Sequence, residues 1–336
     1  MRTGVGFVGA RGTWSDATEG RLSSLLDQAD QIGSLLVPCS PIDTVALRRR
    51  CRTGAVVEPM PGMFARVSRW EALTPSARSL HCMRAVQSKH PDWVFSHQSA
   101  AVAHGLPIPA SQLTRLHVRL PATANIRRSE RYVFHACDGP IERVFGVRVT
   151  PLLKTVLDCA SSLSFRDGLA VADAALRYYG IERAALVRYV EDEGKGRRGV
   201  RQARLIARHA DGLSESWGES AARALMIQLG FALPRLQAEI DLPSELGGIY
   251  RVDFLWVLLD GSYIIGEFDG MVKYRDAPAS RAGESLRALV DERKRESRLT
   301  MLQVPIIRFT FDDLRDPGRF ARLLDAFGVP RERAAA

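Results

Sequence analysis

Three carboxylates stand in an apolar background between residues 250 and 274: Asp253, Glu267 and Asp269, in YRVDFLWVLLDGSYIIGEFDGMVKY. Burying an unpaired charge is costly, so acids in such a stretch need a reason. The stretch reads as two strands joined by LDG. A three-residue loop Leu259-Asp260-Gly261, with Gly261 at positive φ, suits that composition. It places Leu258 opposite Ser262 and Asp253 opposite Glu267. Strand side chains alternate with period two, which puts Asp269 on the face of Glu267. A two-residue loop would throw Asp253 to the other side. Three carboxylates gathered in this way repel, and they need protons or a cation among them. A hard divalent ion, Mg2+ or Mn2+, with Asp253, Glu267 and Asp269 as oxygen ligands resolves the repulsion. Such an ion activates water and stabilises the charge that develops in phosphodiester hydrolysis.

Several elements must position these acids. From Ser214 the pattern runs helix, strand, strand, strand, helix, strand, helix: SWGESAARALMIQLG, PRLQAEI, RVDFLWVLL, SYIIGEF, ESLRALVDERKRESRL, VPIIRFT and DDLRDPGRFARLLDAFG. Glu219 is a further acid at the start of the first helix. Ser216-Trp217-Gly218-Glu219 also spells an S-x-x-E capping box, so a cap and an active-site acid are both open readings for it. Arg251 and Arg308 are candidate structural partners for the strand acids. Asp269-Gly270 also suits a turn-starting Asx role. Arg295 is expected on an exposed helix face. Lys273 has the parity of Glu267 if the strand runs past Gly270. No histidine follows His209, which excludes a histidine general base in this part of the chain.

The front of the chain has a different character. Residues 1–212 carry 30 Lys/Arg against 19 Asp/Glu, whereas residues 213–336 carry 17 against 19. A basic front suits a polyanion partner. RLSSLLDQADQIG has helical apolar spacing, PIDTVALRRRCRTG reads as a second, Arg-rich helix, and AVVEPMPGMFARV reads as a hairpin about a Pro-Gly turn. Helix, turn, basic helix, hairpin is the order of a winged helix-turn-helix. Arg48, Arg49, Arg50 and Arg52 would then face phosphates, or else form a solvated face. Further on, Arg198, Arg201, Arg204 and Arg208 recur at helical spacing after EDEG. They read as a basic connector helix, with Arg198 and Arg201 as candidate DNA contacts. His97 and His104 lie seven apart, but with no third ligand in view they read as a helix-start residue and a packed one.

Other classes are set aside. GVGFVG at residues 4–9 spells G-x-G-x-x-G without the strand that a dinucleotide fingerprint needs before it. The apolar part of MRTGVGFVGARGTW is too short for a secretory signal, and no apolar run approaches a membrane span. Five scattered cysteines without CxxC argue against a disulfide framework or a cysteine zinc site. A cytoplasmic setting is expected, with no membrane partner.

Two resemblances arise from these residues. The stretch from Ser216 to about Leu324, with RVDFLW, IIGEFDG and IIRFTFDDL, resembles the restriction-endonuclease-like PD-(D/E)XK superfamily, in its very-short-patch-repair-endonuclease-like branch. The resemblance implies an αβββαβ domain in which Glu219 is the helix acid, Asp253 the central metal ligand and Glu267 the second ligand. The family lysine position, two after Glu267, is Asp269 in this chain, and Lys273 is the candidate substitute. The front, with SHQSAAVAHGLP and VTPLLKTVLD, more loosely resembles the amino-terminal region of AbiEi-type antitoxins, which implies a winged helix that binds promoter DNA and represses its own operon.

The expected architecture is therefore α+β and multidomain. It comprises a loose segment 1–18, a winged-helix-like domain 19–72, a mixed α+β segment 73–192, a basic linker helix 193–213 and a nuclease-like domain 214–330. The expected function is metal-dependent DNA cleavage. The alternative is a catalytically inactive, antitoxin-like DNA-binding regulator.

Overall fold

The computed structural model describes residues 11–125, 128–241, 248–270 and 304–331. Among them the chain is mixed α+β, with eleven α-helices and three sheets. It divides into two compact units, residues 1–158 and 159–336. That division falls inside the 73–192 segment that the sequence reads as one piece.

The first unit begins with α1 (Arg11–Gln31), α2 (Pro41–Arg52) and the hairpin β1 (Val56–Met60) and β2 (Met63–Arg66). The opening helix starts eight residues before Glu19, so residues 11–18 are helical rather than loose. No proline interrupts residues 11–31, and the helix runs through Gly20 at the modest cost of one glycine. Ser40 caps α2, its Oγ accepting from the Ile42 N–H, and Pro41 occupies the first turn, where its missing N–H is harmless. Leu22, Leu26, Leu36, Leu47, Val56 and Phe64 form the core beneath these elements.

The chain continues through α3 (Val67–Ala72), α4 (Pro75–Lys89), β3 (Val94–Phe95), α5 (His97–Ala103), β4 (Leu116–Leu120), β5 (Tyr132–Ala136), β6 (Glu142–Val144) and β7 (Val147–Val149). The five strands form one sheet in the order β5-β4-β3-β7-β6. β3 runs antiparallel to β4 and parallel to β7, while β4 and β5 are parallel. The boundary between units lies within α6 (Leu152–Ser162).

In the second unit, α7 (Phe165–Tyr179), α8 (Arg183–Glu193), α9 (Val200–His209) and α10 (Trp217–Leu229) precede a sheet. Its strands are β8 (Arg235–Asp241), β9 (Ile249–Val257), β10 (Tyr263–Asp269) and β11 (Ile306–Thr310), in the order β11-β10-β9-β8. α11 (Pro317–Ala326) closes the described chain. The sequence predicts one helix from Asp312 onward. Instead, a short 3-10 turn ends before Pro317, because proline disfavours helical backbone in the residue ahead of it. Asp316 then caps α11 by accepting from the N–H groups of Gly318 and Arg319. Phe254, Trp256, Ile264, Ile307 and Phe309 of the sheet pack with Ala221, Ala222, Leu225 and Met226 of α10 and with Phe320 and Leu324 of α11. No helix among the described residues is long and apolar enough to cross a membrane.

The helices from 159 onward share the fold of this sheet through a buried ion pair. Arg223 of α10 donates to Asp173 of α7 at 2.8 Å, with side-chain exposures of 5% and 1%. Ser220 Oγ and the Asp211 N–H also donate to Asp173, at 2.7 and 2.8 Å. Removing one partner strands a buried charge. Arg223→Ala is therefore expected to cost about 3–5 kcal/mol in urea unfolding, against well under 1 kcal/mol for a surface arginine such as Arg315.

Candidate functional site

The hairpin between β9 and β10 has the register that the turn chemistry predicts. Tyr263 pairs with Val257, Ile265 with Leu255 and Gly266 with Phe254. The Leu258 N–H donates to Ser262 O at 2.7 Å, the Gly261 N–H donates to Leu258 O, and Gly261 sits at φ +85. Asp260 secures the turn by accepting from the N–H and Oγ of Ser262. The same register puts Asp253 opposite Glu267, one step past the last bridged pair.

At that step the ladder between the two strands ends. The Phe268 N–H donates to Asp253 Oδ2 at 2.9 Å, so a side chain takes the place of a main-chain acceptor. On the other side of β9, Gln237 lies between the bridged pairs Leu236–Phe254 and Ala238–Val252, opposite Asp253. Its φ of +48 is left-handed, a conformation that costs a non-glycine residue about 1–3 kcal/mol and that concentrates at functional sites. Its Nε2 donates to Asp253 Oδ1 at 3.3 Å and to Glu219 Oε2 at 3.1 Å.

Glu219 is buried at the first turn of α10. It fulfils the capping box, its N–H donating to Ser216 Oγ while its own carboxylate accepts from Ser216 Oγ and from the Glu215 N–H. The helix start comes this close to the sheet because residue 218 is glycine. A Cβ there would lie 2.0 Å from the Phe268 ring. Burial raises the carboxyls of Glu219 and Asp253 above their ordinary values, and the hydrogen bonds they accept only partly offset it. The charge of Asp253 adds to the rise at Glu219, and that of Glu215 to the rise at Asp253.

The remaining expected ligands are placed less closely. Glu267 is half-buried and pairs in register with Arg308 on the parallel strand β11. Asp269 is exposed and pairs in register with Thr310. Asp253, Glu267 and Asp269 are not among the described groups of three whose ligand atoms lie mutually within 4.8 Å. The acid that joins Asp253, through Gln237, is Glu219. Arg251 pairs with Glu215 rather than with Asp253. Lys273 and Arg295 lie outside the described residues.

The arginines of α2 divide into two pairs. Arg48 is bonded to Glu58 and Arg50 to Glu19, while Arg49 and Arg52 are exposed with no ion pair among the described residues. Ile42, Val45, Arg49 and Arg52 recur at spacings of three, four and three, and all four are exposed. Arg198 precedes α9 rather than lying on it, and Arg201 is exposed on its first turn. Arg204 and Arg208 are tied to Glu191, a residue of the acidic patch just ahead.

His104 is packed as expected, its Nε2 2.9 Å from Thr150 O. His97, by contrast, is joined by two further histidines that its sequence spacing does not reveal. The ligand nitrogens of His97, His117 and His135 lie within 4.8 Å of one another. Burial pushes the His117 and His135 imidazoles down to about 3 and about 4, which leaves both neutral at physiological pH.

No family model matches this sequence. It is similar to an uncharacterized protein of Mycobacterium tuberculosis strain CDC 1551 / Oshkosh and to one of strain H37Rv. Each is 34% identical over 182 residues, which is 54% of this chain and 62% of the relative. The chain thus spans under two thirds of the length of the curated relatives it matches.

Proposed function

We propose that this is a DNA-binding protein whose carboxyl-terminal sheet carries a metal-dependent phosphodiester hydrolase site of the restriction-endonuclease-like kind. The observation that carries the reading is the convergence of Asp253 and Glu219 on the amide of Gln237, with both carboxyls raised by burial. Two desolvated acids sharing one neutral donor fit a hard divalent cation, since Mg2+ is commonly held by one or two carboxylates with waters completing its shell. Asp253 is the central ligand, with Glu219 and Glu267 as the flanking acids. When bound, Mg2+ or Mn2+ supplies Lewis acidity and lowers the pKa of water. The Phe268 N–H fixes one oxygen of Asp253, and Gln237 orients the other toward Glu219. Gly218 and Phe268 keep the helix start pressed against the strand end.

On this reading the front of the chain grips duplex DNA as a winged helix. The exposed Ile42, Val45, Arg49 and Arg52 stripe of α2 supports it, offering cations to phosphates and methyl groups to base edges. A second reading, an antitoxin-like regulator without catalysis, is favoured by one observation. Asp269, where the resembled superfamily has its lysine, is an exposed acid. That protein would bind DNA and cut it under no metal.

Three measurements test these readings. Plasmid cleavage in Mg2+ or Mn2+ should disappear in EDTA and in Asp253→Ala, and should fall about 10–100-fold in Gln237→Ala, which removes a supporting group. Nicking by Asp253→Ala at the wild-type rate would sink the catalytic reading. The raised carboxyls contribute stability that is complete below the ordinary carboxylate range and is lost as pH rises through their folded values. The metal-free melting temperature should therefore fall over that window relative to Asp253→Asn, and Mg2+ at neutral pH should raise it in wild type only. Arg49→Ala and Arg52→Ala should each weaken duplex binding and lower the salt slope by about 1. Arg48→Ala and Arg50→Ala, already spent on carboxylates, should do less, and equal effects from all four would count against the stripe.

A further inference from the structure

His97, His117 and His135 come from three separate segments of the first unit, and the sheet brings them together. β3 and β4 pair with Phe95 against Val118, so the next residue, Ser96, stands beside His117 and its N–H donates to His117 O at 3.0 Å. Ser99 of α5 accepts from the His117 N–H at 2.8 Å, tying the helix start to the strand. β4 and β5 run parallel, with His117 against Val133 and Arg119 against His135. Alternation along each strand therefore sets the His117 and His135 rings on one face, two residues apart. Their Nδ1 and Nε2 atoms approach to 3.0 Å.

His97 is turned onto the same face by an unusual backbone. Its φ of +49 is left-handed at the first residue of α5. Such a conformation is uncommon for a non-glycine residue, although histidine visits it more often than most, and it persists where the surroundings over-determine it. Ser96 Oγ lies 3.1 Å from His97 Nδ1, and Asp158 Oδ2 lies 3.9 Å from the same atom. Lys154 in turn pairs with Asp158 through its other oxygen. At 3.9 Å the Asp158 carboxylate is within ion-pair range of His97 but not hydrogen-bonded to it. Closing onto the ring nitrogen would make it the usual support of a metal-bound imidazole, which fixes the tautomer and leaves the other nitrogen to the ion.

We infer that His97, His117 and His135 form a three-imidazole site for a borderline divalent transition ion, zinc above all, with Asp158 supporting His97. Imidazole nitrogens select zinc and its neighbours, whereas Mg2+ prefers oxygen. The site is thus distinct in chemistry from the carboxylates of the sheet in the second unit. All three side chains are half-buried, which leaves a route for the ion from solvent. Three protein ligands leave a fourth position open to water, the count of reactive rather than purely structural zinc sites. One adjustment is required on loading. The His97 and His135 rings now stack at 3.6 Å between centroids and 15° between planes, and one ion cannot lie in both ring planes. His97 must swing out of the stack as it binds.

The test uses the full chain without a polyhistidine tag, stripped with EDTA and titrated with Co2+ and Zn2+. The expected result is about one equivalent of tightly bound Zn2+, a visible Co2+ spectrum of low-coordinate type that Zn2+ quenches, and no competition from excess Mg2+. His117→Ala and His97→Asn should each weaken binding by about tenfold or more, while Asp253→Ala binds as wild type. Asparagine tolerates the left-handed backbone at residue 97, so that variant separates loss of a ligand from loss of fold. Substoichiometric zinc, or full binding retained in His97→Asn with a native circular dichroism spectrum, would overturn the assignment.

Discussion

The second unit's site hangs on a single pairing: the Leu258 N–H on Ser262 O, closed by Gly261 in its left-handed turn. Because side chains alternate along a strand, slipping this pair by one residue would send Asp253 to the far face and Phe254 out of the core. The two outcomes are coupled. Phe254 is fully buried among Trp256, Phe309 and Ala222, so the apolar effect that fixes the register for the core also fixes the position of the acid. Gly266, the last residue of β10 bridged to β9, enforces the same closeness. A Cβ there would meet Trp256 at 2.9 Å and the Phe254 Cβ at 3.1 Å.

Around that pairing, structure and chemistry use the same residues. Glu219 caps α10 and is also the acid nearest Asp253 through Gln237. The two readings of S-x-x-E therefore do not exclude one another. α10 is held at its N-terminal end by the close fit of Gly218 on Phe268. It is held on its flank by Arg223 and Ser220, which donate to Asp173. The helices that precede the sheet are for that reason part of its fold rather than a linker to it.

Much of this was legible in the residues. The strands of the second sheet, the three-residue turn, the acid-to-acid register and the capping box follow from local chemistry, and each is present. What local chemistry could not supply is the identity of partners across strands. Gln237 sits in an ordinary-looking RLQAEID strand, and only the β8–β9 register sets it opposite Asp253. The signal available in the sequence was a polar residue flanked by apolar ones. The histidines were harder still, since the 19 residues between His97 and His117 close through an antiparallel pair and a further parallel crossover brings in His135. Charge was equally deceptive on α2. Four arginines within five residues read alike in sequence, but Glu58 and Glu19 claim two of them. Asp269, placed by alternation with the other acids, is exposed at the strand end instead.

The bond from the Phe268 N–H to Asp253 gives the backbone a second role. An amide proton that points at a carboxylate senses that carboxylate's charge. When Asp253 is ionised, the donor is drawn toward it and the proton is deshielded and slow to exchange with solvent. When Asp253 is protonated or its charge is shared with a cation, the pull weakens. The Phe268 amide is thus a spectroscopic reporter built into the sheet, and its resonance registers the charge carried by Asp253.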